Sequence, residues 1–140
     1  MNREQHEMYK DVSLPGILRK MFADLISSDP VVLQVFSFIA ERTWNHEDKE
    51  TEIGVMFSDL VESVKIKRKV LQKKSRFQEV HTNIERRHAE RIVDKFLMMG
   101  LCYFRSFGPS KAFYITLRGK EVYVVIKKLK EAGSQTEENN

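Results

Sequence analysis

Residues 82–117 read TNIERRHAERIVDKFLMMG (82–100), LCYFRSF (101–107), GPSK (108–111) and, sharing the lysine, KAFYITL (111–117). In the first piece Ala89, Ile92, Val93, Phe96 and Leu97 recur at spacings of three and four, which puts them on one face of a helix starting near Thr82 or Asn83. Arg87, Arg91 and Lys95 fall roughly opposite, on the solvent side, and Gly100 is placed to end the helix. The next two pieces alternate as strands do, joined by a tip whose Gly and Pro suit a tight turn. A cationic helix thus runs into a two-stranded ribbon with a basic tip. Phosphate backbones attract such surfaces, and an α-helix fits the major groove of B-DNA.

On the N-terminal side, Leu14-Pro15-Gly16 opens a helix with Ile17, Leu18, Met21, Phe22, Leu25 and Ile26 at helical spacing. Ser28-Asp29-Pro30 restarts the chain, since Asp caps well and Pro suits the first turn. The second helix, from Val31 to about Trp44, buries Val32, Val35, Phe36, Ile39 and Ala40. Residues 52–56 form a short strand that pairs beside the hairpin. A third helix starts at Ser58, with that serine as its cap, and the run KIKRKVLQKKSR (65–76) either extends it or forms a long loop. The spacing of Ile66, Val70 and Leu71 favours helix. A last helix spans Lys120 to about Ala132. Residues 1–13 read as a mobile arm, 14–132 as one domain, and GSQTEENN (133–140) as a disordered tail.

At 140 residues the chain can bury a real core. No apolar run approaches the roughly 18–20 residues of a membrane span, and the polar opening MNREQHEMYKDV lacks a signal-peptide core. One cysteine, Cys102, excludes an internal disulfide and fits a reducing interior, so cytoplasmic residence is expected. His6, His46, His81 and His88 are scattered, and no Gly-rich phosphate loop occurs; neither catalysis, a metal nor a cofactor is expected. Charge is divided unevenly. Residues 1–64 carry 6 Lys/Arg against 12 Asp/Glu, whereas residues 65–118 carry 14 against 4. An asymmetry this large within one small domain marks an electrostatic footprint.

Three helices, a hairpin and a final helix resemble the winged helix-turn-helix family. The matching residues are Met99-Gly100-Leu101 leading into Cys102-Tyr103-Phe104, and Tyr114-Ile115-Thr116-Leu117-Arg118-Gly119-Lys120-Glu121 at the end of the second wing strand. The resemblance covers about residues 14–132. It implies a mostly helical α+β fold: a winged helix-turn-helix with additional N- and C-terminal helices. One departure is the roughly 17 residues from Lys65 to His81, where relatives have a short turn. A narrower likeness, in the opening Met-Asn-Arg and the Tyr-x-Thr-Leu-x-x-x-Glu-Val pattern at 114–122, is to the centromere-binding adaptors of tubulin-like plasmid partition systems (TubR-type). That likeness implies clustered dimers on repeated DNA and a filament-forming tubulin-like GTPase as partner. A winged-helix transcriptional regulator is the alternative.

The expected DNA-binding residues are Asn83, Arg86, Arg87, Arg91 and Lys95 on the recognition helix, and Arg105, Ser110 and Lys111 on the wing. Lys67, Arg68, Lys73, Lys74 and Arg76 are expected to add sequence-independent attraction. Against this, Arg87 and Arg91 could instead pair with Glu90 or Asp94, and Asn83 could simply cap its helix. Leu18, Phe22, Val122, Val125, Ile126 and Leu129 make the outer helices too apolar to stand alone. They either close the core or form a symmetric homodimer interface.

Overall fold

The computed structural model describes residues 8–45, 53–72 and 76–138. The fold is α+β and mostly helical among the described residues. In chain order the elements are α1 (Gly16–Ser27), α2 (Pro30–Asn45), α3 (Phe57–Ser63), β1 (Lys65–Gln72), β2 (Arg76–Asn83), α4 (Arg86–Met98), β3 (Cys102–Phe107), β4 (Ser110–Ile115) and α5 (Leu117–Glu138). Each pair of consecutive strands makes its own two-stranded antiparallel sheet.

The break between α1 and α2 follows the expected chemistry. Asp29 Oδ1 accepts from the N–H groups of Val31 (2.9 Å) and Val32 (3.3 Å), and Pro30 occupies the first turn where no N–H partner is needed. The α3 cap differs from expectation. Asp59, not Ser58, holds the start, its Oδ2 accepting from the Met56 N–H at 2.9 Å. The short-strand expectation survives as one bridge, in which Val55 and Phe113 exchange backbone hydrogen bonds of 2.9 and 2.8 Å.

The largest correction concerns Lys65–Gln72 and Arg76–Asn83, which are neither a helical extension nor a loop. They are two antiparallel strands, with Lys65 opposite Asn83, Ile66 opposite Thr82 and Lys67 opposite His81. A spacing of four, as from Ile66 to Val70, is a multiple of the strand period as well as one helical turn, so that pattern could not decide. The partner strand decides, and it carries the β-branched Val80 and Thr82. At the hairpin base Ile66 is buried, and the Ile84 N–H reaches the Val64 carbonyl at 3.0 Å. Oriented to satisfy both partners, the Gln34 amide of α2 brackets Lys65, donating to its carbonyl (2.9 Å) and accepting from its N–H (3.2 Å). α4 consequently begins at Arg86 rather than at Thr82 or Asn83.

The core gathers Phe36, Ile39, Leu60, Ile84, Ile92, Phe96, Leu101 and Phe113, with the Phe36 and Phe96 rings 5.1 Å apart. Thr116 locks the β3–β4 ribbon to α5. Its hydroxyl donates to the Gly100 carbonyl (2.7 Å) and accepts from the Gly119 N–H (3.1 Å), capping the helix. A side chain at Gly119 would strike the Leu101 carbonyl oxygen at 2.2 Å, so only glycine lets the two pieces meet. Gly100 ends α4 at φ +70°, as the sequence predicts.

Two stretches near the ends of the described residues make contacts or extend a helix. The Leu117 N–H donates to the Lys10 carbonyl (2.7 Å), and Glu121 accepts from Ser13 Oγ (2.8 Å) and pairs with Arg19. The segment expected as a mobile arm is thus tied to the start of α5 over Tyr9–Leu14. α5 runs on to Glu138 through the stretch expected as a tail, because an established helix extends readily into Glu and Gln.

A candidate nucleic-acid interface

α4 turns Ala89, Ile92, Val93 and Phe96 inward, as the periodicity required. Its outward arc carries Arg87, Arg91, Asp94 and Met98, with Lys95 on one flank and Arg86, Glu90 and Leu97 on the other. The flanks differ chemically. Arg86 Nε donates to Glu90 Oε1 at 3.1 Å, and its guanidinium lies 5.5 Å from the centre of the Phe57 ring. Arg87 and Arg91 are exposed and form no ion pair among the described residues. The pairing considered for Arg87 and Arg91 thus falls on Arg86.

Beside that flank lies a cleft of about 480 Å³ between α3, α4 and the β3–β4 tip, bordered by Phe57, Arg86, Glu90, Ser110 and Lys111. The tip is a two-residue connection. Phe107 pairs with Ser110, Gly108 takes φ +59° and Pro109 holds a negative φ. Those signs select the II′ turn, whose twist suits a hairpin. Arg105 lies over both Tyr103 (5.9 Å) and Tyr114 (5.3 Å), whose rings stack 5.3 Å apart. Lys111 sits 4.8 Å over Phe104. The structure therefore collects Arg87, Arg91 and Lys95 on one helix, and Arg105, Ser110 and Lys111 on the ribbon that follows it.

Other expected residues land elsewhere. Asn83 is the last residue of β2, and its amide oxygen accepts from Lys65 across the hairpin base, so it neither caps α4 nor stands on its outward arc. Lys67 pairs with Glu79 on the neighbouring strand (3.8 Å). Arg68 and Arg76 belong to the strands of this hairpin, while Lys73 and Lys74 lie outside the described residues. The expected dimer face is corrected as well. Val122 and Ile126 are buried within the chain, and Phe22 and Val125 pack against the same core, because α5 closes over α1. Of that set, Leu129 is exposed and Leu18 half-buried.

Several residues that matter had no sequence signal strong enough to single them out. Thr43 is one. β4 uses the outer side of Ile115 on no strand, and Thr43 Oγ1 accepts that orphan N–H at 3.2 Å while donating to the Ile39 carbonyl at 2.8 Å. Burial pushes the Cys102 thiol well above its ordinary range, the opposite of what a nucleophile needs. The Tyr123 hydroxyl is also pushed up, first by burial and then by the Glu41 carboxylate that accepts its hydrogen bond at 2.7 Å. No cluster of three or more His, Cys, Asp or Glu suited to a metal occurs among the described residues. Nor, among them, is any single helix long and apolar enough to cross a membrane.

Neither a family model, nor a curated protein, nor a solved structure matches the chain.

Proposed function

We propose that this chain is a sequence-specific, double-stranded DNA-binding protein with a winged helix-turn-helix reading head. In this reading α3 and α4 are the two helices of the motif, α4 enters the major groove, and the β3–β4 ribbon is the wing. The observation that carries it is the outward arc of α4, where Arg87 and Arg91 stand one turn apart, exposed and without a carboxylate partner among the described residues. Arginine at such a position reads guanine bidentately or clamps a phosphate. The element order supports the assignment, as does the Val55–Phe113 bridge that adds a short segment to the wing. Charge supports it too, because the excess of cations lies in residues 65–118.

The β1–β2 hairpin takes the place of the short turn usual in such motifs. With Lys65, Lys67, Arg68, Lys69, Lys73, Lys74 and Arg76 in its sequence, it serves as a second, sequence-independent arm on the phosphate backbone. The role we favour is a partition adaptor that coats repeated sites and recruits a filament-forming nucleotidase; a transcriptional regulator at one or two palindromes is the alternative.

The test is equilibrium binding of labelled duplexes, first a random-sequence duplex and then one enriched by in vitro selection. Affinity should fall steeply with salt, and the enriched duplex should outcompete single-stranded DNA and RNA. Binding that ignores salt, or that favours single strands, would remove the reading. Direct repeats in the enriched pool, covered as an array in footprints, would favour partition over transcription.

A further inference from the structure

We propose that the cleft between α3, α4 and the β3–β4 tip binds a small zwitterion carrying an aromatic ring, the chemistry of a free aromatic amino acid. Its volume of about 480 Å³ falls within the roughly 300–1,000 Å³ of ordinary ligand sites. Three separate elements wall it, with Phe57 and Ser58 from α3, Asp94 and Leu97 from α4, and Ser110 and Lys111 from the ribbon. The walls are held before anything binds. The Phe57 ring meets Phe113 edge-on at 4.9 Å, and Phe113 is fixed by its two backbone hydrogen bonds with Val55. Arg86 lies 5.5 Å over the Phe57 ring while donating to Glu90, so its charge is spent on shaping the wall. The tight Gly108-Pro109 turn sets the tip that carries Ser110 and Lys111. A site ordered in advance loses little entropy when it is filled.

Charge decides the kind of ligand. Arg86 and Glu90 neutralise each other, which leaves one carboxylate and one ammonium on opposite walls. Asp94 stands one turn beyond Glu90, about 6 Å further along α4, at the crest of the helix. It forms no ion pair among the described residues. Neither does Lys111, whose ammonium lies 4.8 Å over Phe104, so the two do not meet across the cleft. A zwitterion answers both at once, its carboxylate against Lys111 and the Ser110 hydroxyl, its ammonium against Asp94. Met56, Phe57 and Leu97 supply the apolar surface for a ring between those two ends. A phosphate suits the cleft less well, because Glu90 and Asp94 both border it and repel an anion.

One consequence rests on the DNA reading above. Lys111 is among the cations assigned to the wing, and a ligand carboxylate takes it out of that role. Filling the cleft should therefore weaken duplex binding and lower the magnitude of the salt slope by about 0.9, the value of one phosphate contact.

The experiment is isothermal titration calorimetry on the full chain with L-phenylalanine, L-tyrosine and L-tryptophan. The one that binds best is then compared with its des-amino acid and its decarboxylated amine. Each counterpart should bind about 10- to 150-fold more weakly, as loss of one charge-assisted hydrogen bond predicts. Asp94→Asn should erase the preference over the des-amino acid, and Lys111→Gln the preference over the amine. Lys128→Gln, which removes the same charge from exposed α5, should change neither. Failure of all three amino acids to bind, or equal binding of the best one and its two counterparts, overturns the proposal. Duplex binding with and without the amino acid keeps this site and the DNA reading apart. A chain that takes the amino acid and ignores DNA retains the site and sinks that reading, whereas one that binds DNA and no amino acid does the reverse.

Discussion

Arg86, Arg87 and Arg91 were all expected on the recognition helix, yet the structure predicts unequal roles when each is replaced by alanine. Arg86 is held by Glu90 and lies against Phe57, whereas Arg87 and Arg91 point outward unpaired among the described residues. An exposed i, i+4 pair such as Arg86–Glu90 contributes only about 0.3–0.5 kcal/mol, so its loss should barely move the melting temperature. Losing a bidentate guanine contact costs about 1–3 kcal/mol, or roughly 5- to 150-fold in affinity for the selected duplex. Losing a phosphate contact instead lowers the salt slope by about 0.9, so a fourfold rise in salt weakens that variant about 3.5-fold less than the parent. Fluorescence anisotropy over a salt series, with selected and random duplexes, distinguishes these outcomes. Arg87→Ala and Arg91→Ala should each lose clearly more affinity than Arg86→Ala. Equal losses for all three, with parent-like melting, would refute the assignment of the outward arc as the reading face.

Thr43→Val should leave the buried Ile115 N–H without an acceptor and cost about 1–3 kcal/mol in urea unfolding, whereas Thr43→Ser keeps the oxygen and should stay near the parent. Replacing Lys73 and Lys74 by serine should weaken selected and random duplexes alike and flatten the salt slope; a loss confined to the selected duplex would contradict the backbone-arm role. Cys102 should resist alkylation in the native state at pH 8 and react fully once unfolded, because burial disfavours its thiolate. The same burial has a stability sign. The folded chain holds the Cys102 and Tyr123 protons longer than the unfolded chain does, so the unfolded state binds fewer protons above their ordinary values of 9.0 and 10.0. The contribution of these two groups to the unfolding free energy should therefore hold steady below pH 9.0 and fall as pH rises beyond it, as urea titrations would measure.

Local pattern carried the elements whose identity depends on near neighbours. The α1–α2 break is written in Asp29-Pro30, the end of α4 in Gly100, and the β3–β4 ribbon in alternation around Gly108-Pro109. The inward face of α4 is equally legible, because Ala89, Ile92, Val93 and Phe96 match a single helical period. The 65–83 segment was not legible in the same way, since its apolar spacing suits two periods and only pairing with a strand beginning at Arg76 resolves it. Hydrogen bonds between distant residues, such as Thr43 to Ile115, leave no trace in sequence spacing.

By itself, then, the sequence determined a small helical α+β chain whose cations crowd into residues 65–118, with an amphipathic helix leading into a hairpin. Those features follow from propensity, period and charge, which act over a few residues. Only the tertiary structure decided which arginine is paired, that the basic run is a hairpin, and that α5 closes the core while the Ile17–Met21–Leu25 ridge stays open. Each of these depends on which surfaces meet across the fold, and an apolar side chain looks the same in sequence whether it is buried by its own chain or left at the surface.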